Sequence, residues 1–195
     1  MAKSRTTWII LIIVVLIGLW LIRIYNSLVT ADENVSTAWS QVENVYQRRL
    51  DLIPNLVNTV QGAADFERNT LNEVIQARAA ASSINLDAAN LNEANLAAFQ
   101  QAQDGLVQAL SRLMVVVERY PELKANQNFR DLQSQLEGTE NRIAVERNRF
   151  NEAVRIYNTS IRRFPKNLIA GIFGFEARAY FQAEENAQKA PQVQF

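Results

Sequence analysis

FRDLQSQLEGTENRIAVERNRFNEAVRIYNTSIRRF, residues 129–164, decides the fold. Within it Phe129, Leu136, Ile143, Phe150, Tyr157 and Phe164 recur every seven residues, supported by Leu132, Val154 and Ile161. A seven-residue apolar repeat keeps one stripe of an α-helix facing a partner helix, so this stretch predicts roughly 50 Å of helix packed on another. Upstream, Leu28, Val35 and Val42 repeat the same step, interleaved with Ala31, Ala38, Val45 and Leu52. Pro54, in DLIPNL, removes a backbone donor and crowds the preceding turn, so the chain either turns or kinks there. A further helix would carry Val57, Val60, Leu71, Val74, Ile75 and Arg78. Asn90 and Glu93 stand three apart, as in a capping box, ahead of Leu96, Phe99, Leu106, Leu110, Leu113, Val117 and Tyr120, and Pro121 ends that run. From Leu28 onward nothing alternates as strands do for more than a few residues. The segments 28–52, 54–82, 90–120 and 128–164 predict an all-α protein built as an antiparallel up-and-down four-helix bundle with long helices. If Pro54 only kinks a continuous helix, a longer three-helix coil results.

The N-terminus has a different composition. WIILIIVVLIGLWLI, residues 8–22, is uncharged, and with its flanks it reaches about 20 residues, enough for a helix to cross a bilayer. Trp8, Ile9, Leu11, Val14, Leu16, Leu19, Trp20 and Ile22 would face lipid. The two Trp sit near the headgroup levels and Arg23 snorkels outward. An uncleaved anchor is expected; the alternative is a signal peptide cut after Val29-Thr30-Ala31. Lys3 and Arg5 precede the run, while Arg23 follows it with Asp32 and Glu33 beyond. The positive-inside rule therefore favours a cytoplasmic N-terminus with the bundle outside. Three units follow: an anchor over 1–27, a helical bundle over 28–175, and a short helix and tail over 176–195.

Composition narrows the chemistry. The 195 residues include neither Cys nor His, with 20 basic against 20 acidic side chains. Thiolate and imidazole metal sites, disulfides and His-dependent nucleophiles are excluded. Residues 26–195 hold 17 basic and 20 acidic groups, without a basic stripe among stacking aromatics, so nucleic-acid binding is not expected. There is no GxSxG elbow and no phosphate-cradling glycine loop, so no catalytic residue, cofactor or metal is assigned. Glu146 lies near the apolar stripe and is read as paired with an arginine rather than as a functional acid. Arg48, Arg49 and Asp51 ahead of Pro54 form a small ionic cluster, read as a solvated helix end or a docking site.

Taken together, YNSLV at 25–29, AWSQVENVYQRRLDLIPNLVNTV at 38–60, ARAA at 77–80, YPELKANQNFRDLQSQLEGTENRIA at 120–144 and YNTSIRRFPKNLIAGIFGF at 157–175 resemble the LemA family. The resemblance implies an N-terminally anchored, all-helical bundle. It brings no reaction mechanism, and family descriptions often place the short N-terminus outside and the bundle inside, against the charge argument. Phe66-Glu67 stands where His-Glu is common in relatives, and Phe150 where Tyr is common.

In an up-and-down bundle the last helix returns to the membrane, which places Phe164 at the proximal end together with RIYN at 23–26 and its second copy at 155–158. The following LIAGIFGF, residues 168–175, is apolar. It either dips into lipid or a subunit groove, or folds back as a cap on the core. Phe164, Pro165, Ile172, Phe173 and Phe175 are therefore candidate contacts, as are Arg48, Arg49, Asp51 and Pro54. The expected function is a non-enzymatic, membrane-anchored scaffold or adaptor that binds the lipid bilayer and protein partners, including copies of itself as a homo-oligomer. The alternatives are an accessory module of a membrane signalling or proteolysis system and, third, an enzyme.

Overall fold

A computed structural model of the protein describes residues 2–62 and 67–182. Helix α1 spans Ala2–Gln61, α2 Arg68–Ser83, α3 Glu93–Val117, α4 Pro121–Ala125, α5 Gln127–Arg162 and α6 Lys166–Phe173, with a 3₁₀ turn at Ala88–Asn90. The protein is all-α: one N-terminal apolar helix continues into several packed helices.

Pro54 does not end the first helix. α1 continues through it to Gln61, and the next described helix, α2, begins at Arg68. The bond a proline deletes is the one its N–H would have given to the carbonyl four residues earlier, here that of Leu50. That carbonyl has another donor, because Arg78 Nε reaches it from α2 at 2.9 Å. The proline's missing hydrogen bond is thus supplied across the helix–helix contact, and no turn is required. Val57 and Val60 consequently belong to α1, not to a second helix, and the four comparable segments become unequal.

α1 and α5 run antiparallel: Lys166 just beyond α5 meets Ser27, while Glu140 further up meets Arg49. α2 and α3 run antiparallel to each other, with Glu73 paired to Arg112 at 2.9 Å. At roughly 24 Å, α2 is too short to follow α1 to the apolar run. The caps follow the sequence with one shift. Asn92, not Asn90, accepts from the backbone of Asn95 to start α3, while Asn126 accepts from Phe129 N–H to start α5.

The core falls into two clusters. The distal one joins Leu50, Ile53, Leu56, Val57 and Val60 of α1 to Leu71 and Val74, Leu106 and Leu113, Leu123, and Phe129 and Leu136. The proximal one joins Ile24, Leu28, Val35, Trp39, Val42 and Tyr46 to Phe99, Ile143, Phe150, Val154, Tyr157 and Ile161, closed by Leu86, Leu91, Ala170 and Phe181. Five members of the α5 heptad are buried. The sixth, Phe164, is 80% exposed, because α5 ends at Arg162 and the stripe does not continue past it.

The short helix expected from residue 176 onward does not form over 176–182. That segment is a strap whose backbone bonds to side chains and, through Ala179 N–H, to Leu91 C=O at 3.2 Å. Asn158 donates to Arg178 C=O at 2.8 Å and accepts from its N–H at 2.9 Å; Asn151 does the same for Phe181 at 3.2 and 2.9 Å. Phe66 and the tail over 183–195 lie outside the described residues.

Candidate membrane-proximal site

From Thr7 onward, the first buried residue of α1 is Ile24, directly after Arg23. Before it, Trp8, Ile9, Leu11, Val14, Leu16, Leu19, Trp20 and Ile22 are exposed, none of them buried by the described residues. This stretch is long and apolar enough to cross a membrane. The helix is continuous from it into the core, with no glycine from residue 19 to residue 61 to act as a hinge.

Beside the junction α5 ends and the chain turns through Phe164 and Pro165 into α6. The sequence favours that turn, since a proline cannot continue the α5 ladder and Gly174, at φ 73°, then closes α6 in the left-handed region. α6 is held on one side. Ala170 is buried, Ile169 packs on the core, and the Tyr25 ring meets Phe173 at 4.8 Å and Phe175 at 6.0 Å. Lys166 Nζ donates to Ser27 Oγ at 2.7 Å and to Ser160 Oγ at 3.2 Å. The other side is open: Leu168, Ile172 and Phe173 join Phe164 as large exposed apolar groups. Segment 168–175 therefore does cap the core, and still presents an uncovered apolar face. A cleft of about 650 Å³ opens between Trp20 and Ile24 of α1, the last turns of α5, and the 163–166 turn.

Of the sequence-predicted contacts, Trp20, Arg23, Phe164, Pro165, Ile172, Phe173 and Phe175 come to this one end. Arg48, Arg49, Asp51 and Pro54 lie elsewhere, and the three ionic residues do not form a cluster. They sit within α1 and not at its end; Arg48 and Asp51 point outward, with Asp51 accepting from Gln47. Arg49 is 2% exposed between the two apolar clusters. Its Nη1 donates to Glu140 at 2.8 Å and Nη2 to Gln103 at 2.6 Å, its plane lies 5.0 Å from the Tyr46 ring, and Nε has no partner. The signal was present in the numbering: Leu28, Val35, Val42, Arg49 and Leu56 are successive sevens, as are Leu96, Gln103 and Leu110. Glu146 pairs with Arg149 at 2.7 Å, in keeping with the arginine-paired reading.

Sequence reading missed Asn151 and Asn158, which follow Phe150 and Tyr157 by one residue and so border the apolar stripe at a seven-residue step. It also missed Arg178, which reaches Asp32 at 3.1 Å and Ala89 C=O at 2.9 Å. Tyr157 donates to Glu176 C=O at 2.8 Å; burial pushes its phenol up to about 12, with the Asp32 charge adding to the effect. Burial likewise raises the Tyr46 phenol and the Glu43 carboxyl. Among the described residues no group of His, Cys, Asp and Glu is placed to hold a metal ion.

These features define an all-helical protein with a single apolar N-terminal extension. The chain belongs to the LemA family, whose pattern it matches over residues 38–195. It is 30% identical to magnetosome protein MamQ 2 of Paramagnetospirillum magneticum, covering 89% of this chain and 70% of that protein. It is 28% identical to magnetosome protein MamQ of Magnetospirillum gryphiswaldense, over 80% of this chain and 64% of that one. Protein LemA of Metamycoplasma hominis is 24% identical, over 82% and 69%.

Proposed function

We propose that this protein is a non-enzymatic, membrane-anchored scaffold that holds a rigid helical rod upright on a bilayer. One observation carries the reading: α1 is a single helix from the apolar run to Gln61, so the anchor and the core share one backbone. A tether through a flexible linker would let a domain tumble, whereas a shared helix fixes the orientation of the body. The 38 residues from Ile24 to Gln61 correspond to a projection of roughly 57 Å. Packing of α1, α2, α3 and α5 as an antiparallel bundle stiffens that projection, and α6 with Phe164 rests in the headgroup layer at its foot. A scaffold of this kind suits a family whose relatives include proteins named for magnetosomes as well as LemA itself, because such a role depends on shape and surface more than on one reaction. Its partners are proteins, including further copies of the chain.

The test is photo-crosslinking in intact membranes from exposed positions along the rod, such as Arg48, Val115 and Val145. Discrete adducts that persist when expression is lowered are expected. A diffuse pattern at every position, together with a monomeric mass in detergent at all concentrations, would sink the scaffold reading. Orientation follows from local charge, since Lys3 and Arg5 act during insertion, before the body has folded. A Glu122→Cys variant, at the distal end, should react with a membrane-impermeant maleimide in intact cells. Reaction only after lysis would place the rod in the cytoplasm.

A further inference from the structure

From Ala153 to Phe175 the chain carries Arg155, Arg162, Arg163 and Lys166 and not one acid, although residues 26–195 as a whole carry more acids than bases. Folding brings these cations to the end of the body that adjoins the apolar run. The cleft there is chemically divided. Trp20, Ile24, Ile156, Phe164 and Pro165 form an apolar side continuous with the lipid-facing surface of α1, while Arg155, Thr159, Ser160, Arg163 and Lys166 supply donors.

The charges are not equivalent. Arg155 is engaged by Glu152 through both Nε and Nη2, at 2.7 and 2.6 Å. Lys166 is held by two serine hydroxyls, which orient it without neutralising it. Arg163 has no ion pair among the described residues. Two uncompensated cations and two hydroxyl-bearing residues thus line a cleft whose wall begins on the apolar run itself.

We propose that this cleft seats one anionic phospholipid of the surrounding bilayer, the phosphate against Arg163 and Lys166 and the start of an acyl chain along Trp20, Ile24 and Phe164. This rests on the reading that α1 spans the membrane with α6 at its surface. The occupant is a bilayer lipid and not free phosphate, because half the lining is apolar and joins the span without a break. An anionic headgroup is selected because a zwitterionic one would bring its ammonium beside the uncompensated Arg163 and Lys166.

Trp20 lines the cleft and reports on it. The full chain carrying Trp8→Phe, so that only Trp20 and the buried Trp39 emit, is placed in phosphatidylcholine vesicles with phosphatidylglycerol at about 10 mol%. Either lipid carries bromine high on its acyl chain, at an equal total fraction. Brominated phosphatidylglycerol should quench Trp20 roughly two- to five-fold more strongly than brominated phosphatidylcholine. Arg163→Gln should bring the two to parity, while Arg162→Gln, outside the cleft, should leave the difference in place. Equal quenching in the parent, a difference that survives Arg163→Gln, or one that falls as far with Arg162→Gln, overturns the seat. A Phe173→Trp reporter with Trp8 and Trp20 replaced by Phe separates the two levels. Its quenching by brominated phosphatidylcholine upholds α6 at the lipid even where the selective seat fails; its silence removes the membrane reading and the seat together.

Discussion

The two halves of the rod are closed in different ways. In the distal half, α1, α2, α3 and α5 bring together side chains that are aliphatic except for Phe129, so helix covers helix. In the proximal half α2 has run out, and α1 and α5 are covered by the 84–92 loop, the start of α3, α6 and the 175–182 strap. Irregular backbone has unpaired N–H and C=O groups and can cover a core only if something satisfies them. Here Trp39 donates to Leu86 C=O at 2.9 Å, Asn151 and Asn158 each form two bonds with the strap, and Arg147 and Gln100 donate to Gln182 C=O. The aromatic side chains compensate for the missing helix. Phe181 packs against both Trp39 and Phe150, centroids 6.1 and 5.4 Å away, with Arg147 4.8 Å from its face. The lesson is that a bundle short of one helix can be completed by a strap, provided the neighbouring helices present side-chain partners at the spacing of its backbone.

The largest expected effect breaks the proximal half alone. Phe181→Ala removes the ring that seats the strap and should lower stability by about 3 kcal/mol or more. Hydrogen exchange should accelerate over residues 24–46 and 147–161 while Leu50–Val60 and Leu106–Val117 keep their protection. Uniform loss would mean that the halves fold as one cooperative unit.

Next comes the layer between them. Gln103→Leu leaves Arg49 Nη2 buried without its acceptor and should cost about 1–3 kcal/mol in denaturant unfolding. Adding Arg49→Met should recover most of the loss, since an apolar side chain suits a stripe that is apolar above and below.

A smaller effect is confined to the distal half. Arg78→Ala strips Leu50 C=O of its donor and should cost about 1–2 kcal/mol. Pro54→Ala restores an N–H at that position, so the double variant should be more stable than Arg78→Ala alone. Strict additivity of the two changes would show that Arg78 does not act through the proline.

The smallest effect appears only in alkali. Tyr157 is held protonated in the folded protein, its phenol raised to about 12, whereas an unfolded tyrosine ionises near pH ~10. The folded state therefore keeps the proton longer, and its contribution, full below about pH 10, is lost as pH rises towards 12. Tyr46, shifted in the same direction, adds to the slope. Thermal midpoints across that window should fall less steeply in Tyr157→Phe than in the parent.

The same contrast explains what could be read from the chain. The α5 heptad, the apolar run and the start of α3 were legible because each is a local periodicity that one helix imposes on its own residues. Arg49 and Gln103 were half-legible: their numbers place them on the stripes, but which partners meet them depends on the register between helices. Pro54 left a turn or a continuous helix open, and the helix continues where a residue 24 positions later returns a donor to Leu50. Over 176–182 no helix forms, because Asn151 and Asn158 offer that backbone better-placed partners than its own turns do. Most of the membrane-proximal candidates gathered at one end; Arg48, Arg49 and Asp51 did not.

The sequence by itself determined that this protein is helical, that one stretch is apolar enough for a bilayer, and that imidazole and thiol chemistry are absent, because composition and short periods are properties of neighbouring residues. Only the tertiary structure decided where α1 ends, that a strap closes the proximal core, and that Arg163, Lys166 and Trp20 share a cleft. Those outcomes depend on pairs separated by tens of residues, whose encounter is fixed by helix length and register and by no signal within either segment.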